Sequence, residues 1–182
     1  FEFIDMKNDI SEGRTTIKKF DDIQFKDVFF KYPNTQKNVL NGINVTLIKN
    51  KKIAIVGPSG SGKSTLLALM IRLFDLDNGK ITFGKEDIKD LRLSNLRSFF
   101  SLVSQDTVLF DGSISENIKY NSKLSVKSIE KFAKLACLEE VIENLPKGLN
   151  SQIGENGVKL SGGQRQRIAI ARALAQQKSI IL

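Results

Sequence analysis

The sequence has 182 residues, 41% hydrophobic and 26% charged, the balance of a globular domain with its own core and not that of a disordered chain. No apolar run approaches the ~20 residues that a membrane-crossing helix needs, and the longest, Leu66 to Phe74, is interrupted by Arg72. The 28 Lys and Arg against 20 Asp and Glu leave +8. That charge would suit a nucleic-acid or anionic-lipid surface, but the basic residues form no long block and read more simply as scattered, solvated side chains.

Phe1 to Asp5 is acidic and lacks the basic start of a secretory signal, so any membrane role is that of a peripheral or truncated component. Residues 1–20 are polar and irregular and read as a linker or tail. From Ile23 the apolar residues alternate (Ile23, Phe25, then Val28, Phe30, Tyr32) and the run ends at Pro33; Val39 to Ile48 alternates again, with Asn41-Gly42 as a turn signal. These segments predict an antiparallel β region. Lys52 to Val56 is a short unbroken apolar run, as in a strand buried on both faces.

A glycine-rich loop and then a helix over Ser64–Phe74, apolar nearly all round, come next. Asp77-Asn78-Gly79 turns into a strand over Lys80–Phe83, a short helix follows around Ser94–Arg97, and Phe99–Ser104 is a further strand. Residues 113–145 read as helical, closed by Pro146 and Gly148, and Gln164–Gln177 as another helix. Ser179-Ile180-Ile181-Leu182 begins a buried-strand pattern. The single cysteine, Cys137, lies in an apolar-periodic stretch and is expected to be a small buried side chain, with no disulfide within the chain.

Gly57-Pro58-Ser59-Gly60-Ser61-Gly62-Lys63-Ser64 matches G-x-x-x-x-G-K-[ST] without a mismatch, and Thr65 follows it. Glycines let the backbone bend until successive N–H groups converge on one anion. The helix that follows turns its free N-terminal N–H groups and positive dipole end to the same phosphates. Lys63 would neutralise the β- and γ-phosphates and the Ser64 hydroxyl would bind Mg²⁺. The preceding apolar run and the following helix are the context this motif requires.

Leu160-Ser161-Gly162-Gly163-Gln164 has the same ingredients in miniature: a capping hydroxyl, two glycines and a helix start. Taken alone it reads better as an ordinary N-capped helix. About a hundred residues beyond a P-loop, it resembles the signature motif of the ATP-binding cassette (ABC) family, and Gln164 to Leu174 looks like the helix that follows it there. The resemblance runs from about residue 21 to the end.

By that resemblance Tyr32 matches the aromatic residue that stacks on adenine, although alone it is a plain strand-end tyrosine. Gln105, in Val103-Ser104-Gln105-Asp106, matches the glutamine that touches Mg²⁺ and senses the γ-phosphate, and alone would be a solvated strand-end residue. Ile153–Gly157 resembles a loop of exporter-type cassettes that touches the membrane domain, and Asp111–Ile118 is exporter-like too. Asn50 stands where many relatives have glycine, and asparagine tolerates the left-handed conformation.

The resemblance implies an α/β P-loop NTPase (RecA-like) core. An N-terminal antiparallel β subdomain and an inserted helical subdomain at about residues 106–165 would accompany it, with the C-terminal part of the core missing. It also implies ATP and Mg²⁺ as ligands. A head-to-tail partner cassette is expected, in which Lys63 and Ser161 of one chain serve two different nucleotides. Transmembrane domains of an exporter and a place at the cytoplasmic face of a bacterial inner membrane are implied, with no nucleic-acid partner. The family's hydrolytic acidic residues and a histidine are expected beyond Leu182, so no catalytic residue is present and the chain as given is expected to be inactive. The other class weighed is a soluble ABC ATPase of DNA repair or translation. The close spacing of P-loop and signature, without an intervening coiled coil, speaks against it. A P-loop kinase or GTPase would leave the signature unexplained.

Overall fold

Apolar alternation produces the expected antiparallel sheet, in a computed structural model that describes residues 10–33 and 35–182. The first nine residues of the expected tail lie outside the described residues. Strands β1 (Ile23–Phe30), β2 (Leu40–Leu47), β3 (Asn78–Phe83) and β4 (Glu86–Asp87) pair antiparallel in the order β2-β1-β3-β4. The chain divides into two compact units, Phe1–Phe99 and Phe100–Leu182, and this sheet belongs to the first.

In β1 the buried side chains are Ile23 and Phe25, then Val28 and Phe30, a change of parity that strict alternation forbids. Asp27, at φ 46, is the extra residue, and the register shifts beside it against both neighbouring strands. This is a β-bulge, which returns Val28 and Phe30 to the core face. Asn41-Gly42 is not the turn that its composition suggests. Gly42, at φ 62, lies inside β2 next to a register shift.

Helix α1 (Lys63–Met70) buries Thr65, Leu66, Leu69 and Met70. It stops four residues short of Phe74 because Arg72 takes a left-handed conformation, φ 50. After β4 comes α2 (Leu93–Arg97). The polar lead-in bonds to this region: Thr15 pairs with Leu91 in a parallel bridge, and Ile17 bonds through its backbone to the Asn95 side chain.

Lys52–Val56 departs from expectation. It forms no ladder, and Ile53, Ile55 and Val56 are 47%, 37% and 87% exposed. A strand buried on both faces needs neighbours along both edges, and among the described residues none pairs with it. Asn50 does take the left-handed conformation, φ 59.

In the second unit, β5 (Phe100–Ser101) pairs in parallel with β6 (Ile180–Ile181), so both expected strands are present but short. The region read as helical is three helices, α3 (Ile114–Lys119), α4 (Val126–Leu135) and α5 (Glu139–Glu143). The breaks fall at Tyr120 and Cys137, at φ 45 and 56. Cys137 is exposed, contrary to its apolar context. The left-handed turn swings it outward and gives the buried places to Ala136 and Leu138. The last helix, α6 (Gly162–Ala175), packs Ile168, Ala171 and Ala175 into one core with Ile114, Ile118, Ile129, Phe132 and Leu138. No helix among the described residues is long and apolar enough to cross a membrane.

Candidate nucleotide-binding site

The P-loop turns on a Ser61 N–H donated to the Pro58 carbonyl (3.3 Å), with Gly60 and Gly62 in left-handed conformations at φ 78 and 89. Gly62 is the residue before α1, and no side chain caps the helix there. The first bond of the helix runs from Leu66 N–H to the Gly62 carbonyl, 2.9 Å. The amides of Lys63, Ser64 and Thr65 therefore have no acceptor within the helix, and the dipole adds partial positive charge at the same end. A Cβ on Gly62 would stand 2.7 Å from Leu40 Cδ2 and 3.3 Å from the Val39 carbonyl, so the tight turn needs glycine for space as well as for φ. Lys63 Nζ arches back over the loop and donates to the carbonyls of Gly57 (3.0 Å) and Pro58 (2.8 Å). Free amides and an ammonium on one exposed loop are the donor set that a polyphosphate requires.

Tyr32 is brought to the first turn of this helix. Its hydroxyl lies 2.9 Å from Thr65 Oγ1, and the edge-to-face contacts of Phe30 and Phe74, at 5.1 and 5.3 Å between centroids, fix its ring. Residues 32 and 65 share no sequence spacing that would reveal this bond; the G-K-S-T run places Thr65 near the phosphates but says nothing of an aromatic partner.

The signature lies in the second unit, where Ser161 caps α6 in a closed capping box. The Gln164 N–H donates to Ser161 Oγ (3.3 Å), and the Ser161 N–H donates to Gln164 Oε1 (2.8 Å). Two amides of the motif are thus satisfied internally and are not offered to an anion. Gly162 and Gly163 remain open: a Cβ on Gly163 would meet nothing within 4 Å. Gln105 is exposed and shares with Asp106, Thr107, Gly162, Arg165 and Gln166 a pocket of about 400 Å³, so Gln105 and the signature meet in this unit. A second pocket of about 340 Å³ borders the signature, with Lys159, Ser161, Gly163 and Arg167 among its walls.

The Ser64 hydroxyl and the Gln105 side-chain carbonyl are neutral oxygen donors. Each by itself is of the kind that a hard cation accepts. Among the described residues no group of three or more His, Cys, Asp or Glu side chains could hold a metal ion.

Sequence reasoning missed a buried polar hub centred on Asn117, within the Asp111–Ile118 segment. The Asn117 side chain bonds both the N–H and the carbonyl of Phe110, and Arg172 from α6 donates to the Asn117 carbonyl, Asn117 Oδ1 and the Val108 carbonyl. Burial lowers the Arg172 pKa from its usual value, and Tyr120 opposes the shift. The Arg172 guanidinium lies 5.0 Å from the Phe110 centroid and 5.8 Å from that of Tyr120, whose rings stack at 5.4 Å and are about half exposed. At the start of α3, the Ser113 amide and hydroxyl donate to Glu116 and hold its carboxyl below the usual carboxylate range.

Known proteins resemble this chain over most or all of its length. The family described as "ABC transporter" matches residues 40–182. The chain is 45% identical over 164 residues to the ABC transporter B family member 29, chloroplastic, of Arabidopsis thaliana, covering 88% of this chain and 26% of that protein. It is 43% identical over 185 residues to an ATP-dependent lipid A-core flippase of Photobacterium profundum, covering 100% of this chain and 32% of the relative. A solved structure titled "Structure of a bacterial Atm1-family ABC exporter with ATP bound" superimposes with a TM-score of 0.91 at 34% identity, over 100% of this chain and 32% of the other. The chain therefore spans about a third or less of the length of these relatives.

Proposed function

Because the chain belongs to the ABC transporter family, we propose that it is the ATP-binding domain of an exporter that couples ATP binding and hydrolysis to substrate movement across a membrane. The fold is that of the α/β P-loop NTPases of this family, and the relatives are exporters and flippases, which favours this reading over a soluble ABC ATPase. Residues 1–20 serve as the lead-in, residues 21–182 as the ATP-binding domain, and about 106–165 as its helical part.

The observation that carries the proposal is the uncapped start of α1 with Lys63 folded over the loop. Lys63 exchanges two neutral carbonyls for phosphate oxygens, and the amides of Gly60 and of Gly62 to Thr65 close around them. Ser64 offers its hydroxyl to Mg²⁺, and Gln105, in the second unit, exposes a side-chain carbonyl of the kind that a hard cation accepts. Tyr32 presents its ring to the adenine from a frame that Phe30, Phe74 and Thr65 hold rigid. Bound Mg²⁺ neutralises the charge that develops on the phosphates. Gly162 and Gly163 offer their open amides to the nucleotide of a second cassette arranged head to tail, with Leu160, Ser161 and Gln164 holding the turn. The exposed Phe110–Tyr120 pair, braced by Arg172, is an aromatic patch of the kind that docks a partner, and we assign it to the membrane segments of the exporter, at the cytoplasmic face.

The test is the Lys63→Ala exchange, read by titration with a fluorescent ATP analogue in the presence of Mg²⁺. A charge-assisted bond is worth roughly 1.5–3 kcal/mol, so affinity should fall about 10- to 100-fold. Unchanged affinity would refute the P-loop assignment.

A further inference from the structure

We infer that Arg72 is a positioning residue for the nucleotide, joining the far end of the P-loop helix to a docked strap, Ser11–Ile17, so that strap docking and nucleotide binding strengthen each other. This rests on the reading of Gly57–Ser64 as the nucleotide site.

Arg72 is 1% exposed, and a guanidinium so deeply buried persists only when its donors find acceptors. Nε and Nη2 reach the two carboxylate oxygens of Asp75 (2.7 and 3.3 Å), Nη1 reaches the Lys89 carbonyl (3.0 Å), and Nη2 also reaches the Ser11 carbonyl (2.9 Å). One residue thus holds the end of α1 through its own N–H, donated to the Leu69 carbonyl (3.0 Å), and through its side chain ties the segment after the helix to the turn after β4 and the lead-in. The left-handed backbone of Arg72 aims it there, a conformation that a non-glycine residue keeps only where its surroundings over-determine it. Arg97 secures the same helix end by donating to the carbonyls of Ile71 (3.0 Å) and Arg72 (2.7 Å).

From Ser11 the lead-in continues as a fastened strap. Glu12 accepts from the Leu93 N–H (3.0 Å), and Thr15 exchanges backbone bonds with Asp90 (2.9 Å) and Arg92 (2.8 Å). Asn95 takes both the N–H and the carbonyl of Ile17 (2.8 and 3.1 Å). Between them Gly13 lies so close to the partner backbone that a Cβ would collide with the carbonyl groups of Asp90 and Leu91; the strap seats only with glycine there. Its bonds are mostly polar and its side chains largely exposed, the character of a segment that opens below the global unfolding free energy. Helix α1 is a rod about 12 Å long. Its first amides face the loop and its last residues are held by Arg72, so a shift at one end is felt at the other.

Linkage makes the coupling reciprocal, and both directions can be measured on the 182-residue chain with a non-hydrolysable ATP analogue and Mg²⁺. Added nucleotide should raise amide-exchange protection at Thr15, Ile17 and Arg92. Gly13→Val, which unseats the strap far from the loop, should weaken nucleotide affinity about 5-fold or more. Asn95→Ala, a milder release, should weaken it in the same sense and serves if the valine variant does not fold. Arg72→Lys keeps the charge and loses the fork. Its effect should be non-additive with that of the strap variant, since both break one link. A merely structural Arg72 would lower stability yet leave strap protection indifferent to nucleotide. Undiminished affinity in a folded strap variant, with no nucleotide-dependent protection, would overturn the coupling while leaving the P-loop assignment intact. Failure of the unmutated chain to bind the analogue would remove the site and the coupling together.

Discussion

Two helices of this chain begin at glycine-rich turns, and they begin differently. Helix α1 starts after Gly62 in a left-handed conformation with no side-chain cap, so its first amides stay free. Helix α6 starts after Ser161 in an extended conformation, and the capping box with Gln164 satisfies two amides from within. The first terminus therefore leaves its amides open to an acceptor from outside the helix. The second holds its shape through its own side chains and leaves only Gly162 and Gly163 open. Similar composition yields opposite degrees of self-sufficiency, and the deciding residue is the one just before the helix: glycine in one case, serine in the other.

That contrast can be broken most decisively at Ser161. In a full-length exporter carrying this domain, Ser161→Arg should abolish ATP-driven pairing of the cassettes, followed by size-exclusion chromatography or cross-linking, while nucleotide binding by the single domain survives. Loss of single-domain binding would show that the signature is not a surface for a second nucleotide. Gly62→Ala should act on the other terminus. The methyl group meets Leu40 and the backbone resists φ 89, so stability should drop by about 1–3 kcal/mol and nucleotide affinity along with it. An unaffected variant would mean that the uncapped turn is not tuned for an anion. The smallest effect belongs to Ser161→Ala. It removes a cap worth about 1 kcal/mol and should lower the thermal midpoint of the chain with little change in its own ATP affinity. Comparable loss at both termini would erase the distinction.

Much of the site was legible in the sequence because it is local. The phosphate loop, the signature and the left-handed asparagine at position 50 each depend on neighbours within a few residues, and turn and cap chemistry acts over that range. The antiparallel pairing of β1 with β2 followed from alternation, but the bulge at Asp27 could only be suspected from the change of parity between Phe25 and Val28. Lys52–Val56 misled because apolar composition cannot say whether a neighbouring strand is at hand. Cys137 misled for a related reason: periodicity assumed one continuous helix, and a left-handed turn ended it.

By itself, then, the sequence determined two glycine-rich turns that resemble the phosphate loop and the signature of the ABC family and, to within about two residues, where the helix behind each starts, since backbone conformation, glycine placement and capping are properties of short segments. Tertiary structure alone decided which polar groups stay free and which are used up. Tyr32 found Thr65 across 33 residues, Arg172 found Asn117 across 55, and Arg72 found Ser11 across 61. Such partners meet because the core brings their backbones together, and no spacing in the chain encodes the meeting.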